Sequence, residues 1–108
     1  MIGTDLINIE RIKKAVESEY FLINTFSKNE IEYAKSRKDY FESLAGIFAA
    51  KEAVLKATGT GIVDLRLNKI EILHNEKGQP YHRLNSDKLV NVSISHDSGF
   101  AIAVAMII

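Results

Sequence analysis

Residues 48–62 read FAAKEAVLKATGTGI, an apolar helical run that closes in a Gly-Thr-Gly turn. At about 100° per residue, Phe41, Ala45, Phe48, Glu52 and Leu55 fall within an arc of roughly 80°, the width of a core-facing stripe. Glu52 therefore stands where a leucine is expected. Two explanations compete. Glu52 precedes Lys56 by four residues, the favourable order for a surface ion pair worth about 0.2–0.5 kcal/mol. A carboxylate in an apolar stripe, however, carries a desolvation cost on the order of several kcal/mol unless it is paired, hydrogen-bonded or bound to a metal. A surface pair is too weak to offset that, so the stripe either opens into a cleft at Glu52 or holds a cation there.

Working outward, Asp39 followed by Glu42 predicts the start of this long helix, and Ser27 followed by Glu30 has the capping-box spacing that opens another before it. Gly59 ends the long helix as a C-cap glycine, with Gly61 close behind. Upstream, MIGTDLI is short and mostly apolar and predicts a first strand with Asp5 as its one charge. Asn8 is a good N-cap for a helix over IERIKKAVESEY, in which Ile9, Ile12 and Val16 share one face and Arg11 and Lys14 the other. Downstream the period changes to two. KIEIL alternates, NEKGQP is a turn around Gly78 and Pro80, and VNVSIS sets Val90, Val92 and Ile94 on one face. FAIAVAMII is apolar on both faces and predicts a central strand, joined to its predecessor by the tight HDSG loop. Helices precede antiparallel strands, which is an α+β pattern in one domain over residues 1–108.

At 108 residues and 46% apolar content the chain suits one core. Fourteen basic and fourteen acidic residues cancel, so no global field attracts nucleic acid or an anionic membrane, and a charged partner must be met by a local patch. With no cysteine there is neither a disulfide frame nor a thiolate zinc site. No leader or long apolar span is visible, and the expectation is a cytoplasmic protein with no membrane segment.

SHDS at residues 95–98 holds the residue types of a nucleophilic triad, but neighbours in one loop point apart and cannot relay a proton in line. His96 reads as a strand-end residue capping a turn, or as a phosphate or substrate contact; His74 and His82 read as surface residues flanking a turn. GTG follows a helix and does not connect a strand to a helix N-terminus, so it is neither a dinucleotide fingerprint nor a P-loop. It serves chain reversal, or close backbone approach to a ligand. Asp5, a charge in a short apolar strand, needs the same explanation as Glu52. Two such carboxylates can share one hard divalent cation, since magnesium is commonly held by one or two carboxylates with waters and substrate phosphates completing its octahedron.

Taken together, GTDLINIERI at residues 3–12, FAAKEAVLKATGTGI, the KGQPY turn and VSISH at residues 92–96 closely resemble the successive signatures of the small bacterial 4′-phosphopantetheinyl transferases, the holo-acyl carrier protein synthases. The resemblance runs in order over nearly the whole chain. It implies a trimeric enzyme that moves the phosphopantetheine arm of coenzyme A onto a serine of apo acyl carrier protein and releases adenosine 3′,5′-bisphosphate. In the family the Asp of Gly-x-Asp and the Glu of Lys-Glu-Ala bind magnesium, which assigns Asp5 and Glu52. Lys56, one turn beyond Glu52, is expected to meet phosphate oxygens. Lys51, Gly59, Gly61, Gly78, Pro80 and His96 are the further expected coenzyme A contacts, some of them reaching a neighbouring subunit's cleft. Arg11 and Lys14 are the expected docking patch for the acidic carrier protein. This chain departs from the family by carrying Ile47 where many relatives have Arg, and Asp97 where Thr or Ser is usual. Two rival readings remain: a non-catalytic module that binds a nucleotide or coenzyme A, and an oligomerisation domain in which Asp5 and Glu52 are buried and hydrogen-bonded.

Overall fold

The structure is a computed structural model that describes residues 1–59 and 67–107. Strand β1 (Ile2–Asn8) runs into helix α1 (Ile9–Ala15), followed by α2 (Glu19–Thr25), α3 (Lys28–Lys35) and the long α4 (Tyr40–Thr58). A short 3₁₀ turn (Leu67–Lys69) leads to β2 (Ile72–His74), β3 (Pro80–Asn85), β4 (Lys88–Asp97) and β5 (Phe100–Met106). The five strands form one antiparallel sheet in the order β1-β5-β4-β3-β2. The α+β expectation holds.

The predicted helix starts are present as capping geometry. Asn8 accepts from the Arg11 amide, Ser27 and Glu30 form a reciprocal capping box, and the Asp39 carboxylate accepts from the Glu42 amide. Gly59 ends α4 in the left-handed region at φ 66°, where a side chain would be strained. The chain from Ile9 to Tyr20 is not the single helix that its periodicity predicts. Val16 ends α1 and Ser18 caps a second helix by accepting from the Phe21 amide, because a serine hydroxyl competes with the helical ladder for nearby amides. The bend returns Phe21 to α4, where its ring lies 6.4 Å from that of Phe48.

The strand expected over KIEIL is also shifted, to Ile72–His74. The carbonyls of Leu67 and Ile70 accept from the Lys51 ammonium at 2.7 and 2.8 Å, so this backbone is not free to continue a ladder. Two left-handed residues, Ser98 at φ 51° and Gly99 at φ 83°, make the β4–β5 connection between the paired Asp97 and Phe100, as a two-residue hairpin turn requires.

β5 is central, as predicted, but only one of its apolar faces is covered. Ala101, Ala103 and Ala105 are buried, whereas Phe100, Ile102 and Met106 are exposed. The core lies between that alanine row and α4, whose Ala49, Ala50, Ala53 and Ala57 are likewise buried. Small residues on both sides bring helix and sheet close together, and this closeness builds the site.

Candidate active site

β1 carries Asp5 to the flank of α4, where Glu52 and Lys56 stand one turn apart. The Lys56 ammonium donates to the Thr4 carbonyl at 3.0 Å and to the Asp5 carboxylate at 3.3 Å. The helical Glu52–Lys56 pair allowed by the spacing is therefore replaced by a pairing across the strand–helix boundary. Glu52 is half-buried, and its carboxyl is raised above 4.5, first by burial and then by the negative charge of Asp5, with Lys56 opposing. Among the described residues no hydrogen bond reaches the Glu52 carboxylate. A half-buried carboxyl raised by a second carboxylate nearby, and without a hydrogen bond among the described residues, is an arrangement that a cation would relieve.

The face of α4 that is buried deepest is not the one its hydrophobic stripe suggests. Of the expected stripe Ala45 is fully buried but Phe41, Phe48, Glu52 and Leu55 are only half-buried, while Leu44, Ile47, Lys51 and Val54 are fully buried. Lys51, expected to contact the co-substrate, is instead sealed in the core. Its ammonium lies 2.6 Å from Glu30 with neither side chain exposed, and it also donates to the Leu67 and Ile70 carbonyls. Glu30 in turn accepts from the Ser27 amide at 2.8 Å and the Ile72 amide at 2.7 Å. Burial pushes the Glu30 carboxyl up and the Lys51 ammonium down, and each opposite charge pulls its partner back. With three acceptors around its three protons, Lys51 is a structural cross-link and not a phosphate ligand.

The remaining expected contacts divide. Gly78, Pro80 and His96 converge on a cavity of about 670 Å³ toward the start of α4. Gly59 caps the other end of that helix, and Gly61 lies outside the described residues. Ile47, which replaces the usual Arg, is buried and lines the cavity, as do Arg37, His74 and Tyr33. His96 sits with its Nδ1 3.8 Å from Glu42. Its ring is seated against Gly46, where an added Cβ would come 2.8 Å from Nε2. Neither Asp5 nor Glu52 lines this cavity; Gly46 and Glu52 are six residues apart, roughly 9 Å along the helix.

Sequence reading missed the rest of the cavity wall. His74 is not a free surface residue: its ring stacks on Tyr33 at 3.7 Å and 6°, and Arg37 lies 5.5 Å above the same tyrosine. His82 is also half-buried, with Nδ1 2.9 Å from the Glu71 carbonyl. Gly46, a glycine in mid-helix where alanine is favoured by about 1 kcal/mol, was the one local signal of a close approach. Arg11 and Lys14 are exposed on α1, opposite the buried Ile12. No described helix is long and apolar enough to cross a membrane.

Comparison with known proteins agrees with this architecture. A profile of the 4′-phosphopantetheinyl transferase superfamily matches residues 1–105. A holo-[acyl-carrier-protein] synthase of Clostridium botulinum is 48% identical, over 98% of this chain and 94% of its own. The crystal structure of the Helicobacter pylori holo-[acyl-carrier-protein] synthase in complex with coenzyme A superposes with a TM-score of 0.87 at 37% identity, covering both chains in full. The Bacillus anthracis holo-(acyl-carrier-protein) synthase, solved with CoA (3′,5′-ADP), gives 0.81 at 37% identity over 96% of this chain and 91% of its own. The chain belongs to the 4′-phosphopantetheinyl transferase superfamily and, within it, to the holo-[acyl-carrier-protein] synthases. It is accordingly an enzyme, a phosphopantetheinyl transferase.

Proposed function

We propose that the chain transfers 4′-phosphopantetheine from coenzyme A to a serine of apo acyl carrier protein in a magnesium-dependent reaction that releases adenosine 3′,5′-bisphosphate. The observation that carries this reading is the meeting of Asp5 and Glu52 across β1 and α4, with Lys56 beside them. The donor set fits magnesium: two carboxylates, of which Glu52 is raised first by burial and then by the negative charge of Asp5. Such a site leaves coordination positions for waters and substrate phosphates. Bound there, the ion would supply charge neutralisation at the pyrophosphate.

The protein's own part is positioning. Asp5 and Glu52 would hold the cation, which would neutralise charge on the pyrophosphate. Lys56, with its side chain 58% exposed, exchanges its contacts to Thr4 and Asp5 for phosphate oxygens. The cavity holding Gly78, Pro80 and His96 receives the nucleotide end, and Asp97 at the end of β4 is exposed and points no contact into it. Within one chain the cavity and the carboxylate pair are separate, which supports a trimer whose clefts lie between protomers. The exposed apolar sheet face of Ile2, Leu6, Phe100, Ile102 and Met106 is the surface such an assembly would cover. Sedimentation should show a trimer, and an active monomer would remove the shared cleft. Arg11 and Lys14 form the docking patch for the acidic carrier protein, in a cytoplasmic setting.

The deciding experiment incubates the protein with coenzyme A, apo acyl carrier protein and magnesium. Mass spectrometry should find the phosphopantetheine adduct on the carrier protein. Coenzyme A binding without adduct would indicate a regulatory module instead, and no binding a structural domain.

A further inference from the structure

Gly3 is buried where β1 crosses α4. A Cβ built on it would lie 2.1 Å from the Ala53 carbonyl oxygen, 2.6 Å from the Ala57 amide nitrogen and 2.9 Å from the Lys56 Cβ. Two of these are backbone atoms, which no side-chain rotation can move aside. The residue is therefore glycine for space, in the way that a glycine inside a strand marks close approach of another backbone. The helix turn it touches begins next to Glu52 and contains Lys56. Along β1, Gly3, Asp5 and Ile7 share the inward face, since burial alternates with Thr4 and Leu6 exposed.

We propose that Gly3 is a positioning residue for the carboxylate pair. By letting strand and helix backbones touch, it sets the span between Asp5 on one and Glu52 on the other to that which one small cation bridges. The inference rests on the reading of Asp5 and Glu52 as ligands of the same divalent ion. A methyl group at position 3 must open the contact from 2.1 Å to at least 3.0 Å, and small hard cations demand near-ideal oxygen distances. Thr4 and Asp5, the two acceptors of the Lys56 ammonium, move with the strand, so the whole charged cluster shifts together.

Manganese is the probe, its binding to the full chain followed by electron paramagnetic resonance with coenzyme A present. Gly3→Ala should weaken manganese binding by about tenfold or more, the effect expected of groups that orient metal ligands, while the core variant Ile72→Val stays within about twofold. Asp5→Asn should abolish binding, and circular dichroism should show all three variants folded. If Asp5→Asn loses manganese but Gly3→Ala binds it within about twofold of the parent, the positioning role alone is overturned. Undiminished binding by Asp5→Asn overturns the cation reading and this inference with it. Should Gly3→Ala fail to fold, Ala57→Val enlarges a buried side chain on the helix turn that touches Gly3 and is judged by the same outcomes.

Discussion

Helix α4 carries two lysine–carboxylate contacts five residues apart, and they are built on opposite terms. Lys51 and Glu30 meet at 2.6 Å with no exposure, and two carbonyls and two amides complete their hydrogen bonding. Lys56 and Asp5 meet at 3.3 Å with side chains 58% and 17% exposed, beside a half-buried Glu52 that accepts no hydrogen bond from the described residues. The first cluster is closed, since every proton and lone-pair direction that matters is used, and adding a ligand would break it. The second keeps unmet coordination at the edge of water. A buried charge that is fully coordinated is scaffold, whereas partly buried like charges with coordination to spare mark the place for a ligand.

The largest effect should come from breaking the closed cluster. Lys51→Met strands Glu30 in the core and should cost about 3–5 kcal/mol in urea denaturation. Combining it with Glu30→Gln, which keeps an acceptor for the Ile72 amide, should recover part of that loss. The contrast collapses if Lys51→Met keeps its stability and loses coenzyme A instead.

Opening the second cluster should have the reverse signature. Asp5→Asn or Glu52→Gln should lower activity at limiting magnesium by at least about 10–100-fold, the range already seen for weaker, indirect changes around metal ligands. Melting temperature without metal should hold or rise, because a like-charge repulsion is removed. Normal turnover across a magnesium titration in either variant would refute the metal assignment.

A smaller, purely electrostatic effect is expected further out. Arg11→Glu with Lys14→Glu should slow association with apo acyl carrier protein by about tenfold at low salt, and the wild-type rate should fall more steeply with ionic strength. Coenzyme A affinity should be nearly unchanged; equal loss of both would show damage to the fold and not to a docking patch.

The smallest effect concerns His74. Burial, and then the Arg37 charge, hold its imidazole below 6.5. The unfolded chain therefore takes up that proton at a higher pH than the folded one, so stability falls as pH drops through 6.5 and below. His74→Gln should flatten this part of the melting profile. An unchanged profile would mean that the stacked ring titrates as in water.

Much of the chain was legible before folding. Asn8, Ser27 and Asp39 cap where their side chains predict, Gly59 closes α4, and the change of period after it marks the passage from helices to sheet. Asp5 and Glu52 stood out as charges in apolar surroundings. The rotational phase of α4 was not legible, since Ala45, Ala49, Ala50, Ala53 and Ala57 leave the helix apolar on nearly every side. A stripe through Phe48 and Glu52 is no less apolar than one through Ile47 and Lys51, and only packing decides that Lys51 is the charge sealed in the core.

What the sequence determined by itself are features of short range, the caps, the turns and the two anomalous carboxylates, together with the α+β order that the change of period marks. Tertiary structure alone decided which lysine is buried, which carboxylate Lys56 prefers and why residue 3 has no side chain. Those outcomes depend on Glu30 reaching Lys51 across 21 positions of chain and on Asp5 reaching Lys56 across 51. Hydrogen-bond distance between such groups exists only once strand, helix and sheet have packed, and local propensity carries no information about it.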